Sequence, residues 1–243
     1  MGARTGASTA AFGRPRVRLW VALVPAMLLP AVLAWGYFFL LDGLPAARHV
    51  YGVAKLFLLA WPLLILRLFV ERPSVPRRGN WKRHAEALPL GLAVGLALAG
   101  ALLLAMGTPL GDLAREAAPR IHEKARQFGV LEHYALFSLG ASLFNATAEE
   151  YYWRWFVFGG LGRLLPPVPA HLLAAAAFSA HHLVVATAFF GAPWGPVLGA
   201  TTALGGLAWS WLYARQGTLA GAWISHLVVD LALMAVGARL MFG

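Results

Sequence analysis

Between its charged and Pro/Gly-rich breaks the chain repeats one pattern, an apolar run of about 20 residues. At 1.5 Å per helical residue, such a run crosses a hydrocarbon core about 30 Å thick. About seven runs fit, near 17–41, 50–70, 86–106, 134–158, 168–190, 195–213 and 218–241. A residue content of 60% hydrophobic and 12% charged, with mean hydropathy +0.66, is far too apolar for a soluble domain of ordinary makeup. The expectation is an all-α, polytopic membrane bundle of about seven transmembrane helices, folded as a single membrane domain over 1–243.

The first run follows Arg4, Arg14, Arg16 and Arg18, exceeds a secretory h-region in length and is not followed by a small-residue cleavage site. It reads as a retained span. Ten Trp fit residence at lipid interfaces, and the lack of Cys excludes disulfides, thiolate ligands and a cysteine nucleophile. A formal charge of +10 would suit nucleic acid, but most of the excess lies in short segments flanking spans, where basic residues set orientation. The partner expected is the lipid bilayer, not nucleic acid.

Arg72, Arg77, Arg78, Lys82 and Arg83 crowd the second connection and match the basic N-terminus, so both are expected in the cytoplasm. The segment 107–133 balances Arg115, Arg120, Lys124 and Arg126 against Asp112, Glu116, Glu123 and Glu132 and is expected outside. Arg163 and Arg215 then fall inside, Gly191 to Trp194 outside, and the C-terminus outside. Near 112–128, Leu113, Ala117, Ile121 and Lys124 to Phe128 could form a short amphipathic helix on the membrane surface, or a soluble connector. No solenoid repeat, low-complexity tract or separate soluble domain is evident.

Against this apolar background the ionisable residues within spans stand out, since each costs several kcal/mol and is usually paired, inward-facing and functional. The fourth span places Glu149, Glu150 and Arg154 after Asn145. Adjacent helical residues point about 100° apart, so the two carboxylates face different ways. Glu150 is the better partner for Arg154 at i+4, while Glu149 shares a stripe with Asn145. In the fifth span Phe178 and His182 share a face at i+4, with His181 expected to point away from both. The last span offers His226 and Asp230 together, again at i+4. Each group also has a bland reading as a helix-joining hydrogen bond or ion pair, strongest for Glu150 with Arg154. Arg67, Ser142, Asn145, Ser210 and Ser225 read as snorkelling or helix-orienting residues.

Glu149-Glu150-xxx-Arg154, Phe178-xxx-His182 and His226-xxx-Asp230, in this order and each on a span, resemble the three-motif signature of the CAAX-protease and bacteriocin-processing family of intramembrane proteases. The resemblance covers about 134–241 and leaves the first three spans matched only in general character. It implies a glutamate-dependent endopeptidase in which Glu149 and His182 activate water against a peptide carbonyl. It further implies that the last motif, His226 and Asp230, stabilises the oxyanion, with Glu150, Arg154, Phe178 and Asn145 in support.

The family's third motif ends in Asn or Asp. An ionised Asp230 only accepts hydrogen bonds, so it is expected to orient His226 or a water rather than donate to an oxyanion. The favoured mechanism requires no cofactor. A His₂Glu set of Glu149, His182 and His226 also matches a catalytic zinc site, so metal dependence stays open. His122-Glu123 in the outer segment lacks the second His of HExxH, and the motifs of rhomboid serine and intramembrane aspartyl proteases are missing.

The expected substrate is a membrane-anchored protein or peptide, cut near its C-terminus in sorting-signal or CAAX-like processing. Richness in Ala, Arg, Gly and Pro looks bacterial and points to the inner membrane. Two other readings are an ion- or proton-coupled transporter, for which an internal repeat of spans is lacking, and a noncatalytic scaffold or immunity protein.

Overall fold

A computed structural model describes residues 8–44, 46–69 and 81–243. Arg4, Arg72, Arg77 and Arg78, on which part of the expected orientation rests, lie outside the described residues, as does the Arg14 side chain. Among the described residues regular structure is entirely helical, as expected. Helix α1 runs Ser8–Trp35 and ends in a wide turn over Gly36–Leu40. It is followed by α2 (Ala47–Phe69), α3 (Trp81–Ala105) and α4 (Pro109–Gln127). Helix α5 begins as Tyr134–Glu149, passes into π-helical turns over Glu150–Phe158 and closes with Gly159–Leu161. Helices α6 (Pro167–Phe190), α7 (Trp194–Gln216) and α8 (Ala220–Phe242) complete the bundle.

Among the described residues, five segments are long and apolar enough to cross a membrane: Pro15–Leu40, His49–Leu68, Trp81–Ala105, Pro167–Phe190 and Ala220–Phe242. The other two expected crossings, α5 and α7, are helical but fall outside that set. Their sequences explain why: α5 carries Glu149, Glu150 and Arg154 and changes helix type, and α7 is rich in Gly and Trp and ends in Arg215 and Gln216. Large apolar side chains point outward around the bundle, among them Leu28, Leu56, Leu63, Leu96, Leu104, Leu136, Leu172 and Leu204. Buried residues include Glu149, Glu150, Arg154, Ser210, Ser225 and His226. Contiguous apolar surface on this scale is a lipid-facing surface.

Without a hydrophobic force between helices in lipid, close approach of small residues drives packing. Gly91 and Gly95 of α3 meet Gly221 and Ser225 of α8 backbone to backbone, and Gly195 and Gly199 of α7 meet Thr187 and Leu183 of α6. A Cβ at any of these four glycines would overlap the neighbouring backbone. Helix α1 is tied in differently. Pro30 lacks an N–H, which frees the Ala26 carbonyl four residues earlier. The Tyr152 hydroxyl of α5 donates to that carbonyl at 2.7 Å, and Trp61 Nε1 of α2 donates to Ala22 O at 3.0 Å.

Helix α4 matches the expected amphipathic segment near 112–128. Thr108 caps its N-terminus, Ala114, Ala117 and Ala125 face inward, and Lys124 reaches Asp42 at 2.7 Å. Glu123 pairs with Arg126 at 2.7 Å. Those hydrogen bonds, with one from Gln127, hold its carboxyl down to about 2.

Candidate active site

The last turn of α5 before the change of helix type carries Glu149, and the first residue after it is Glu150. In the wider π-turn, Gly159 N–H reaches Arg154 O five residues back. Such turns insert into α-helices frequently at functional sites. Both carboxylates are buried, yet they separate by partner. Glu150 Oε2 lies 3.2 Å from Arg154 Nε, the ion pair expected at i+4, and Glu150 Oε1 lies 2.8 Å from His226 Nδ1. Glu149 Oε1 lies 3.7 Å from His181 Nε2, and its Oε2 lies 3.8 Å from His226 Nε2. One imidazole therefore bridges two adjacent glutamates through opposite ring nitrogens.

Asp230 stands beside His226, as expected, but it is not the ring's closest carboxylate. Its Oδ1 lies 3.5 Å from His226 Nε2, while the short hydrogen bond that fixes the ring comes from Glu150. Because Nδ1 donates to Glu150, an N–H on Nε2 at the same time requires the imidazolium form, whose charge faces all three carboxylates. Asp230 Oδ2 accepts from Asn145 Nδ2 at 3.1 Å, so Asn145 joins the site rather than merely orienting helices.

A correction concerns His181. It does not point away from the shared face of Phe178 and His182: its ring centre lies 3.9 Å from that of His182 and 5.6 Å from that of Phe178. The ring stacks parallel to Trp153, with centroids 5.6 Å apart, which turns Nε2 toward Glu149. His182 Nδ1 lies 3.1 Å from Phe178 O, which can only accept, so Nδ1 carries the proton and Nε2 keeps its lone pair. Among the described residues, the potential metal-ligand atoms that lie within 4.8 Å of one another belong to Glu149, His181 and His182. His181 thus takes the place that the expected metal set had assigned to His226.

Aromatic rings hold the charged residues in place. Arg154 lies between Phe178 and Trp209, with its guanidinium carbon 4.6 and 5.0 Å from their ring centres. Trp209 also stacks on His226 at 3.9 Å and 11°, and its Nε1 donates to Ser225 Oγ at 3.0 Å. Sequence reasoning missed Trp209, which lies four residues from the end of the expected span 195–213 and so reads as an ordinary interfacial Trp. It also missed Lys55 of α2, whose Nζ lies 3.2 Å from Asn145 Oδ1. A lone lysine in the second apolar run was the sign.

Burial is graded across the cluster. Glu149, Glu150, Arg154 and His226 are closed off, whereas His181, His182, Asp230 and Asn145 are partly open. Three helices thus bring every motif residue to one interior, and α7 covers it.

Fold and site together define a helical integral-membrane protein with a buried carboxylate–imidazole centre. Residues 131–232 match the family model described as type II CAAX prenyl endopeptidase, Rce1-like, a protease family. The match bears out the family resemblance read from the three motifs and contains all of them, while α1–α4 lie outside it. No curated protein and no solved structure matches the chain.

Proposed function

We propose that the chain is a glutamate-dependent intramembrane endopeptidase that cuts membrane-anchored protein substrates near their C-terminus, and that it acts in a bacterial inner membrane. The observation that carries this reading is the position of Glu149, buried beside the imidazoles of two different helices within the segment that matches the protease family.

A substrate carbonyl arriving from the open side meets His182, His181 and Asp230 first. Glu149 takes a proton from a water held between it and the His182 Nε2 lone pair, and the oxygen adds to the carbonyl carbon. The carbonyl oxygen becomes an oxyanion stabilised by His226 in its imidazolium form. Glu149 then passes the proton to the departing amide nitrogen as the C–N bond breaks. Glu150 fixes the His226 ring, and Arg154 balances Glu150. Around this site 1–243 forms a single membrane domain, with the N-terminus cytoplasmic and the C-terminus outside.

Glu149, His181 and His182 also supply the donor set of a His₂Glu zinc centre, and the hydrogen bond from His182 Nδ1 to a backbone carbonyl is the usual support of a metal-ligating imidazole. Zinc there would polarise a carbonyl or activate water. One experiment separates the two routes. The purified protein in liposomes, Glu149→Gln and His182→Ala are compared on candidate membrane-anchored substrates, with and without chelator, and cut sites are mapped by mass spectrometry. The proposed mechanism expects loss of about 10²-fold or more in each variant and no effect of chelator. Equal cleavage by all three proteins would sink it, and loss on chelation with rescue by zinc would favour the metal route.

A further inference from the structure

Among the described residues, α2 offers the site a charged side chain that lies outside the segment matched by the protease family. Lys55 Nζ lies 3.2 Å from Asn145 Oδ1, with its ammonium 5.6 Å from the Tyr51 ring centre and 6.0 Å from that of Phe144. An ammonium only donates. It therefore faces the amide oxygen of Asn145 and turns the amide N–H₂ the other way, to Asp230 Oδ2 at 3.1 Å. The other Asp230 oxygen lies 3.5 Å from His226 Nε2, the nitrogen that faces Glu149. A continuous line of polar contacts thus runs from α2 through α5 to the catalytic face of α8.

Charge balance points the same way. Glu149, Glu150 and Asp230 face only Arg154 among permanent cations on α5–α8, which leaves two negative charges over in an apolar surrounding. A single proton on His226 removes one, and Lys55 is the cation that reaches the cluster's edge, through the Asn145 amide that donates to Asp230. Uncompensated buried charge is costly, so a cation at this distance has an energetic reason to stay.

We propose that Lys55 is a positioning residue: it fixes the Asn145 amide so that Asp230 is held as an acceptor against His226. The kinetic part rests on the protease reading above. The full-length protein in liposomes is compared with Lys55→Met, Lys55→Arg, Asp230→Asn and Lys55→Met/Asp230→Asn, by cleavage kinetics and by thermal unfolding midpoint. Lys55→Met is expected to lower kcat about 10- to 100-fold with KM within about twofold, because misplacement of a reacting group acts on the chemical step. Lys55→Arg should recover most of the loss, since its guanidinium can donate to the same amide oxygen.

In the Asp230→Asn background, Lys55→Met should cost less than about threefold further, and the unfolding midpoint should show the same non-additivity. A wild-type kcat in Lys55→Met, or additive losses in either cycle, overturns the proposal. If Glu149→Gln cleaves like wild type, the protease reading fails, and the unfolding cycle alone decides the role of Lys55.

Discussion

Arg154 is buried between two rings and bears a charge that it cannot lose, so its worth depends on Glu150. Removing one partner of a buried pair leaves the other uncompensated. Arg154→Met is expected to destabilise the protein by about 3–5 kcal/mol, and Glu150→Gln/Arg154→Met to recover much of that, measured by thermal unfolding in detergent. The two adjacent histidines part company in the same way. His181→Phe keeps the stack on Trp153 and should retain cleavage within about tenfold, whereas His182→Ala loses the lone pair beside Glu149 and should fall by about 10²-fold or more. Equal loss in both would shift the chemistry toward the group formed by Glu149, His181 and His182. The pairing of Glu150 with Arg154 and the shared face of Phe178 and His182 were legible because helical spacing alone dictates them. Which way the His181 ring turns was not, since it depends on Trp153 stacking from another helix, and the bridge from Glu150 to His226 depends on how α8 is rotated.

At the scale of the element, the bundle is held by backbone contact at a few small residues, and one helix contains both the test and its control. A Cβ on Gly91 would run into the backbone of Gly221, whereas at Gly100, further along α3, it would meet nothing. Gly91→Ala is expected to cost about 1–3 kcal/mol as overpacking. Gly100→Ala should be neutral or stabilising by up to about 1 kcal/mol, since Ala has the better helix propensity. Unfolding midpoints of the two variants in detergent check this, and equal effects would remove the close-packing account of the contact between α3 and α8. Because α8 carries His226 and Asp230, Gly91→Ala should also lower cleavage. Tyr152→Phe strips the Ala26 carbonyl of its donor and should cost about 1–3 kcal/mol. The apolar runs predicted the long helices well, and the amphipathic pattern near 112–128 anticipated α4. The change to π-turns at Glu150 was not legible, because no residue type marks it. The contribution of α2 was missed because a single lysine in an apolar run does not say which helix it will face.

For the whole molecule, the distribution of side chains inverts that of a soluble protein, with leucines outside and carboxylates, imidazoles and a guanidinium within. Number and sense of crossings are a separate matter, because α5 and α7 give up apolarity to the site. The complete lack of cysteine makes the topology directly measurable. With seven crossings, the exposed residues Lys82 and Arg163 face the cytoplasm and the exposed residues Glu116 and Ala192 face outside. If only the five most apolar segments crossed, Lys82 and Glu116 would keep those sides, but Arg163 and Ala192 would exchange theirs. Single variants Lys82→Cys, Glu116→Cys, Arg163→Cys and Ala192→Cys, labelled with a membrane-impermeant maleimide on intact and on opened cells, distinguish the two. The expected outcome is labelling of Glu116→Cys and Ala192→Cys on intact cells, and of Lys82→Cys and Arg163→Cys only after opening. Reversed labelling at Arg163→Cys and Ala192→Cys alone would show that α5 and α7 do not cross. Reversal at all four would instead invert the orientation read from the basic flanks and put the C-terminal end of α8 in the cytoplasm.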